Sequence, residues 1–438
     1  MDAPAVAATV SRPTLPNASV PSAAMGRPGG GLEPVDITIA DGLISAIEPA
    51  AAAAPGDLDG GIVLPAFVDV HTHLDKGHIW PRKQNPDGSF MSALLAVAED
   101  RERNWAADDV ERRMDFALRC AYAHGTAAIR THLDSTPPQH EISWDVFDRV
   151  RDRWAGRIEL QAVALVGPDV MLDKPTYRRV AARARASGGL LGGAIAVWPN
   201  ARQALFNAVE LAGDLGLDLD LHTDETLDPQ SSALRHLADA VIEASFKGRV
   251  LAGHCCVLSV QDEATAMATI DRVAGAGIGV VSLPMCNMYL QDRRNDGRVR
   301  TPRYRGVTLI HELRDAGVMV ALASDNTRDP FYAYGDLDAL EVLREGARIA
   351  HLDHPQADAW SWSRAVGADP AMHAGFAYRG EIAVGAPADF VVFKSRSWTE
   401  LLSRPNADRL VYRQGEPIDR TLPRYNELDD LMELTNEP

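Results

Sequence analysis

His71 and His73 stand two residues apart at the end of an apolar run from Val63 to Val70 that Pro65 interrupts. In a buried strand, side chains two apart lie on one face. The two imidazoles therefore leave the strand together, in a geometry suited to two ligands of one divalent ion. The chain has 13 His, so an accidental H-x-H is the competing reading. Three further stretches carry the same kind of chemistry, namely His222-Thr-Asp-Glu225, Gly253-His254 and Ser324-Asp325-Asn326.

These groups must be positioned by something regular. From the His-x-His strand onward, short β-rich runs alternate with longer segments of helical pattern. The predicted strands are 67–73, 126–134, 158–166, 192–197, 217–225, 249–256, 278–285 and 319–326. Eight strands separated by helices predict an α/β fold, a (β/α)8 TIM-type barrel, with a doubly wound open sheet as the competitor. In a barrel the ionisable residues at successive strand ends converge on one mouth.

Before the barrel, the alternation VDITI, the pair Asp41-Gly42 and LISAIEP predict a β-hairpin. After about residue 375, short β runs return. They are expected to pair with that hairpin, so that both chain ends build one small β-sandwich. The expected division is 1–64 and 373–438 for the two parts of the sandwich and 65–372 for the barrel. Residues 1–30, rich in Ala, Pro, Ser and Gly, are expected to be partly loose, and the acidic last stretch peripheral.

Within the barrel reading, His71, His73, His222 and Asp325 are assigned as ligands of one divalent metal, zinc or ferrous iron, with room left for a water. A water on such a cation loses its proton near neutral pH. Asp325 is placed to hold that proton, and an imidazole of ordinary pKa at His254 to exchange it near pH 7. Glu225, just outside its strand, is free to give a proton to a substrate ring nitrogen. Each has a plainer alternative: His254 a core histidine, Glu225 an exposed charge, Asp325 and Asn326 caps of a following helix. His132 and Asp134 read as supporting residues. His124, His236, His311, His351, His354 and His373 read as surface or packing residues.

Composition narrows the partners. Hydrophobic content of 46% and charged content of 24% are ordinary for a soluble globular chain. A net charge of −17 argues against nucleic acid as a partner. No apolar run reaches the length of a membrane span, and no basic leader opens the chain. The four Cys (120, 255, 256, 286) suit buried packing rather than disulfides. A cytoplasmic enzyme acting on a small molecule and water is expected, with homo-oligomerisation left open.

The pieces LPAFVDVHTHLDK, RTHLD, QAVAL, LHTDE, GH, NMYLQDRR, TPRYRGV and SDNTRDPFYAYGD, spanning about residues 60–340, resemble the amidohydrolase superfamily and, within it, the bacterial cytosine deaminase family. HTHLDK and SDN-x-RD also resemble hydrolases that remove an alkylamine from N-isopropylammelide, an s-triazine. The resemblance implies a single-metal deaminase with His71, His73, His222 and Asp325 as ligands, Glu225 as proton shuttle and His254 beside the metal water. Where that family has a glutamine, an aspartate and a tryptophan against the substrate, this chain has Gly167, Asn326 and Phe331. Losing a bidentate amide leaves polar edges of a base unpaired, at about 1–3 kcal/mol each. The expected substrate is therefore an amino-substituted nitrogen heterocycle other than plain cytosine, and Lys76 is a candidate contact for a carbonyl-rich or anionic ring. Release of an alkylamine or opening of a cyclic amide is the alternative, and a non-catalytic binding protein on the same barrel the remote one.

Overall fold

The computed structural model describes residues 14–51, 57–293 and 298–432. In chain order, four strands come first: β1 (Thr14–Pro21), β2 (Leu32–Ala40), β3 (Leu43–Pro49) and β4 (Val63–Pro65). Eight follow: β5 (Phe67–Thr72), β6 (Thr126–Asp134), β7 (Glu159–Leu165), β8 (Leu190–Ile195), β9 (Leu219–Thr223), β10 (Val250–His254), β11 (Gly279–Ser282) and β12 (Val320–Leu322). The last three are β13 (Phe390–Val392), β14 (Leu410–Arg413) and β15 (Glu416–Pro417).

The chain divides into two compact units. One comprises the described residues up to Ala66, Asp358–Ser363 and Glu381–Asp419. The other comprises Phe67–Ala357, Arg364–Gly380 and the described residues from Arg420.

In the first unit, β1, β2 and β3 form an antiparallel sheet. Asp41 (φ 54°) and Gly42 (φ 75°) both turn left-handed between β2 and β3, the conformation a tight two-residue hairpin requires. The second sheet runs β15-β14-β13-β4. Here the expected pairing is corrected. The C-terminal strands pair with β4 through β13, Phe390 opposite Pro65 and Val392 opposite Val63. The segment leading into β13 hydrogen-bonds to the hairpin at its turn, where Ile44 N donates to Ala386 O and Ala388 N to Gly42 O, each at 2.9 Å. Ile37, Ile39, Val63, Ile382 and Phe390 share one buried apolar cluster between the two sheets. The expectation of a loose start also changes: residues 1–13 lie outside the described residues, but Thr14–Pro21 is a strand and Ser22–Met25 a 3-10 turn.

The second unit is the barrel. Its eight strands pair in parallel in sequence order, β5 to β12. A parallel bridge between Thr72 and Asp325 closes the ring. The intervening helices carry the caps that the sequence offers. Asp262 accepts from Thr265 N at the head of helix Glu263–Ala276, and Gly277 (φ 68°) ends it just before β11. Gly125 (φ 101°) ends helix Ala107–His124 just before β6 in the same way. Strand β11 is shorter than expected. Pro284 has no N–H for the ladder and instead opens helix Pro284–Leu290. The acidic tail is not peripheral as far as it is described. Leu428 is buried against Phe116 and Cys120, and Arg112 pairs with Asp430 at 2.6 Å.

Inside the barrel, one layer is ionic. Arg130 Nη1 donates to Asp220 Oδ2 at 2.8 Å and Nη2 to Gln161 Oε1 at 2.7 Å and Ala374 O at 2.8 Å. Burial pushes the Asp220 carboxyl up to about 6 against the pull of Arg130. Removing one partner of such a pair strands the other charge in a dry interior, at about 3–5 kcal/mol. Arg130→Met is expected to lower stability by about that amount, read as an earlier midpoint in urea unfolding. Arg130→Met/Asp220→Asn, which removes both charges, is expected to recover part of it.

Candidate active site

The strand period that places Asp220 and Arg130 in the barrel interior places His222 and His132, two residues further on, one layer higher on the same face. Asp69 and His71 stand in the same relation on β5. The structure brings the four assigned ligands together. His71 Nε2 lies 3.2 Å from His222 Nε2, and His222 Nε2 lies 3.1 Å from His73 Nε2. Asp325 Oδ1 is 3.2 Å from His73 Nε2 and 3.8 Å from His71 Nε2. A tetrahedron built on metal–ligand bonds of about 2.0–2.1 Å has edges of about 3.3–3.4 Å. The observed separations fit that figure.

Electrostatics give the same answer. Burial holds the imidazoles of His71, His73 and His222 well below the usual histidine range. They are neutral, and their lone pairs are available. Burial pushes Asp325 up to about 7, against the pull of the Cys286 thiol and Lys76. Among the described residues, neither Asp325 oxygen accepts from an N–H or O–H group. A dry carboxylate that meets no donor stronger than a thiol is costly unless a cation faces it. The residues present therefore fit a divalent ion. A second grouping of possible ligand atoms, His71, His222, His254 and Asp325 within 4.8 Å of one another, overlaps the first.

The backbone at these positions is strained. Asp224 (φ 52°), His254 (φ 70°) and Asp325 (φ 64°) all turn left-handed where a strand ends. The Asp224 carboxylate accepts from Ala233 N at 3.1 Å and Leu234 N at 2.8 Å, which anchors the turn that carries Glu225. Asp69 accepts from the backbone N–H of Ser324 at 3.2 Å and from its hydroxyl, fixing the residue before Asp325.

Glu225 is not the exposed charge of the plainer reading. Its Oε1 sits 3.4 Å from His254 Nδ1. Burial, then the nearby Asp325 carboxyl, raises it well above the usual carboxylate range. His254 departs from expectation in one respect. Burial drives its imidazole down to about 3, so it is a neutral donor or acceptor near pH 7 rather than a titrating one.

Lys76 is buried, with Nζ 4.8 Å from the centre of the Phe331 ring. Burial opposes its charge, but Asp134, Asp329, Asp75 and Asp325 together raise its pKa. Phe331 also packs edge-on against Phe90, centroids 5.6 Å apart. Asn326 is committed elsewhere. Its Nδ2 donates to Asp329 Oδ2 at 2.7 Å, and its Oδ1 accepts from Cys286. It braces its own loop. Gly167 lies at the exit of β7, where it starts the short helix Pro168–Leu172.

Two residues carry more than the sequence reading gave them. His132 packs against His71 with centroids 4.0 Å apart and the rings tilted by 38°, which restricts the His71 ring. Asn287 opens the stretch NMYLQDRR but has no role in the sequence reading. Its Nδ2 lies 3.2 Å from Glu225 Oε1 and 2.9 Å from His254 Nδ1. The signal was present in Pro284, which starts the helix that delivers Asn287. Gly253 is the third support, since a Cβ there would fall 2.7 Å from His71 Cε1. Gly253→Ala is expected to displace the His71 ring and lower the bound metal content. Elemental analysis of the purified variant, together with a far-UV spectrum unchanged from the parent, checks this.

Comparison with known proteins supplies the lineage. A family model described as amidohydrolase family matches residues 119–419. A pterin deaminase of Rhizobium rhizogenes is 54% identical over 96% of this chain and 97% of its own length. A crystal structure of 5-methylcytosine deaminase from Klebsiella pneumoniae with 5-fluorocytosine superposes with a TM-score of 0.78 at 25% identity, covering 94% of this chain and 98% of that one. An N-isopropylammelide isopropylaminohydrolase structure from Burkholderia multivorans gives a TM-score of 0.72 at 25% identity, covering 92% and 97%. With a barrel closed at Asp325, a histidine and aspartate cluster at its mouth and a family model matching most of its length, this chain belongs to the amidohydrolase family.

Proposed function

We propose that this chain is a hydrolytic deaminase of an amino-substituted nitrogen heterocycle, and that the ring is a pterin, as the name of its 54% identical relative indicates for that protein. The observation that carries the reading is Glu225, a half-buried acid held against His254 beside the cluster of His71, His73, His222 and Asp325. Those four residues would hold one divalent cation, zinc or ferrous iron. The cation would supply Lewis acidity and a water that loses its proton near pH 7.

The protein groups then divide the proton traffic. As water adds to the ring carbon bearing the amino group, Asp325 takes the water's proton. Glu225 gives its own proton to the adjacent ring nitrogen. The tetrahedral carbon next loses its amino group, which leaves as ammonia with the proton from Asp325. The new hydroxyl returns a proton to Glu225 as the carbonyl forms. Water is consumed, ammonia and a ring lactam are produced, and both carboxyls regain their starting states.

Lys76 and Phe331 are the proposed substrate contacts, Lys76 toward a ring carbonyl or a deprotonated ring nitrogen and Phe331 toward the ring face. Gly167, where a Cβ would fall 2.6 Å from Asp169 Oδ1, is proposed to offer only its backbone to the ring. Asn326, with its amide engaged by Asp329, is proposed to support that wall rather than to touch the ring. Among the described residues no helix is long and apolar enough to cross a membrane. The four buried free cysteines support a cytoplasmic setting.

Metal-loaded protein assayed against aminopteridines, cytosine and N-isopropylammelide is expected to release ammonia from the pteridine and little from cytosine. Isopropylamine as the product would favour the alkylamine-releasing alternative. Glu225→Gln keeps the size and loses the acid. It is expected to lower kcat by about 10²–10⁴ while metal content stays that of the parent, and Glu225→Gln with full turnover would remove the mechanism.

A further inference from the structure

Two overlapping ligand sets compete at the barrel mouth. His71, His222 and Asp325 belong to both, with either His73 or His254 as the fourth member. Distance alone leaves His254 within reach of a shared cation. Asn287 decides between them. Its amide nitrogen stands 2.9 Å from His254 Nδ1 and 3.2 Å from Glu225 Oε1. An amide N–H can only donate, so the ring nitrogen that faces it must be the unprotonated one. In a neutral imidazole the other nitrogen then carries the hydrogen. That nitrogen, Nε2, is buried and has no partner among the described residues. An N–H cannot ligate a cation.

We propose that Asn287 is a positioning residue that uses one side-chain amide for two tasks. It fixes His254 as the Nε2–H tautomer, which bars His254 from the metal and turns it into a hydrogen-bond donor toward the reacting oxygen. It also ties down Oε1 of Glu225, which leaves Oε2 as the oxygen that exchanges the proton. The fourth ligand is then His73. The roles of Glu225 and His254 here rest on the deaminase reading, but the tautomer and the ligand set do not.

The geometry also explains why Asn and not Gln or Asp serves. Asn287 sits one turn into helix Pro284–Leu290, so its amide is carried on a short side chain from a fixed backbone. Asp at this position would present an acceptor to Nδ1. It would favour the Nδ1–H tautomer and turn the Nε2 lone pair toward the cation.

The test reads the tautomer directly. In zinc-loaded protein with ring-¹⁵N histidine, long-range ¹H–¹⁵N correlation distinguishes the two neutral forms, and His254→Gln identifies the resonances of His254. The Nε2–H form is expected in the parent chain, and the Nδ1–H form would overturn the proposal. Asn287→Asp is expected to switch His254 to Nδ1–H. In cobalt-substituted Asn287→Asp, the visible ligand-field bands are expected to weaken as a further nitrogen joins the ion. An Asn287→Asp protein that keeps the parent tautomer and the parent cobalt spectrum would also overturn it. Because neither readout requires turnover, a wrong substrate assignment leaves this result standing, and a wrong tautomer leaves the assay of ammonia release untouched.

Discussion

One backbone hydrogen bond joins barrel and site. The N–H of Asp325 donates to the carbonyl of His71 at 2.9 Å, at the point where the last strand returns to the first. Closing the ring and completing the cluster are therefore the same event. The residues involved lie near opposite ends of the barrel sequence, so the site exists only after every intervening strand has been laid down. The Asp69 carboxylate, bonded to the N–H and hydroxyl of Ser324, locks the same seam from the side. Left-handed backbone at Asp224, His254 and Asp325 costs about 1–3 kcal/mol at each non-glycine position. Glycine would relieve that strain, but each position needs its side chain, so the surrounding hydrogen bonds have to hold the strained form.

The seam also sets the electrostatics. Closing the barrel excludes water from three imidazoles and a carboxyl whose donor atoms stand about one coordination-shell edge apart. Dryness neutralises the histidines and raises the acids. It also makes Lys76 a strong local charge, placed among Asp75, Asp134, Asp325 and Asp329. A surface with the same residues would scatter these effects into solvent. Here each buried charge alters its neighbours because no high-dielectric medium intervenes.

Much of this was legible in the sequence because a barrel turns local alternation into global convergence. His71, His73, His222, His254 and Asp325 could be read as one group since each ends a strand, and strand ends of a barrel share one rim. What alternation could not reveal was anything arriving from a helix or fixed by a turn. Asn287 escaped because LPM looked like the continuation of a strand, whereas Pro284 stops the ladder and starts a helix. The pairing of the C-terminal strands with β4 escaped because apolar alternation fixes a face and not a partner. Lys76 read equally well as a surface residue, since burial of a lysine depends on carboxylates contributed by distant segments.

The differences from a cytosine-binding site follow the same division. Asn326 seemed a substrate contact because it adjoins Asp325, yet its amide is spent on Asp329 and the Cys286 thiol. The chemistry that faces the ring would then come from residues whose polar groups are not already engaged. Phe331 supplies an apolar face, packed edge-on by Phe90 and lying under the ammonium of Lys76. A flat, electron-poor bicyclic ring gains dispersion along such a face that a single pyrimidine ring reaches only in part. Lys76 beside it rewards a ring carbonyl or a deprotonated ring nitrogen, and the carboxylates around the lysine keep it charged when the water leaves. An apolar face plus one fixed cation would suit the fused heterocycle proposed above. On the proposed reading the polar edge of the ring meets Lys76 and Glu225 rather than the exit of β7, and no glutamine is needed at position 167.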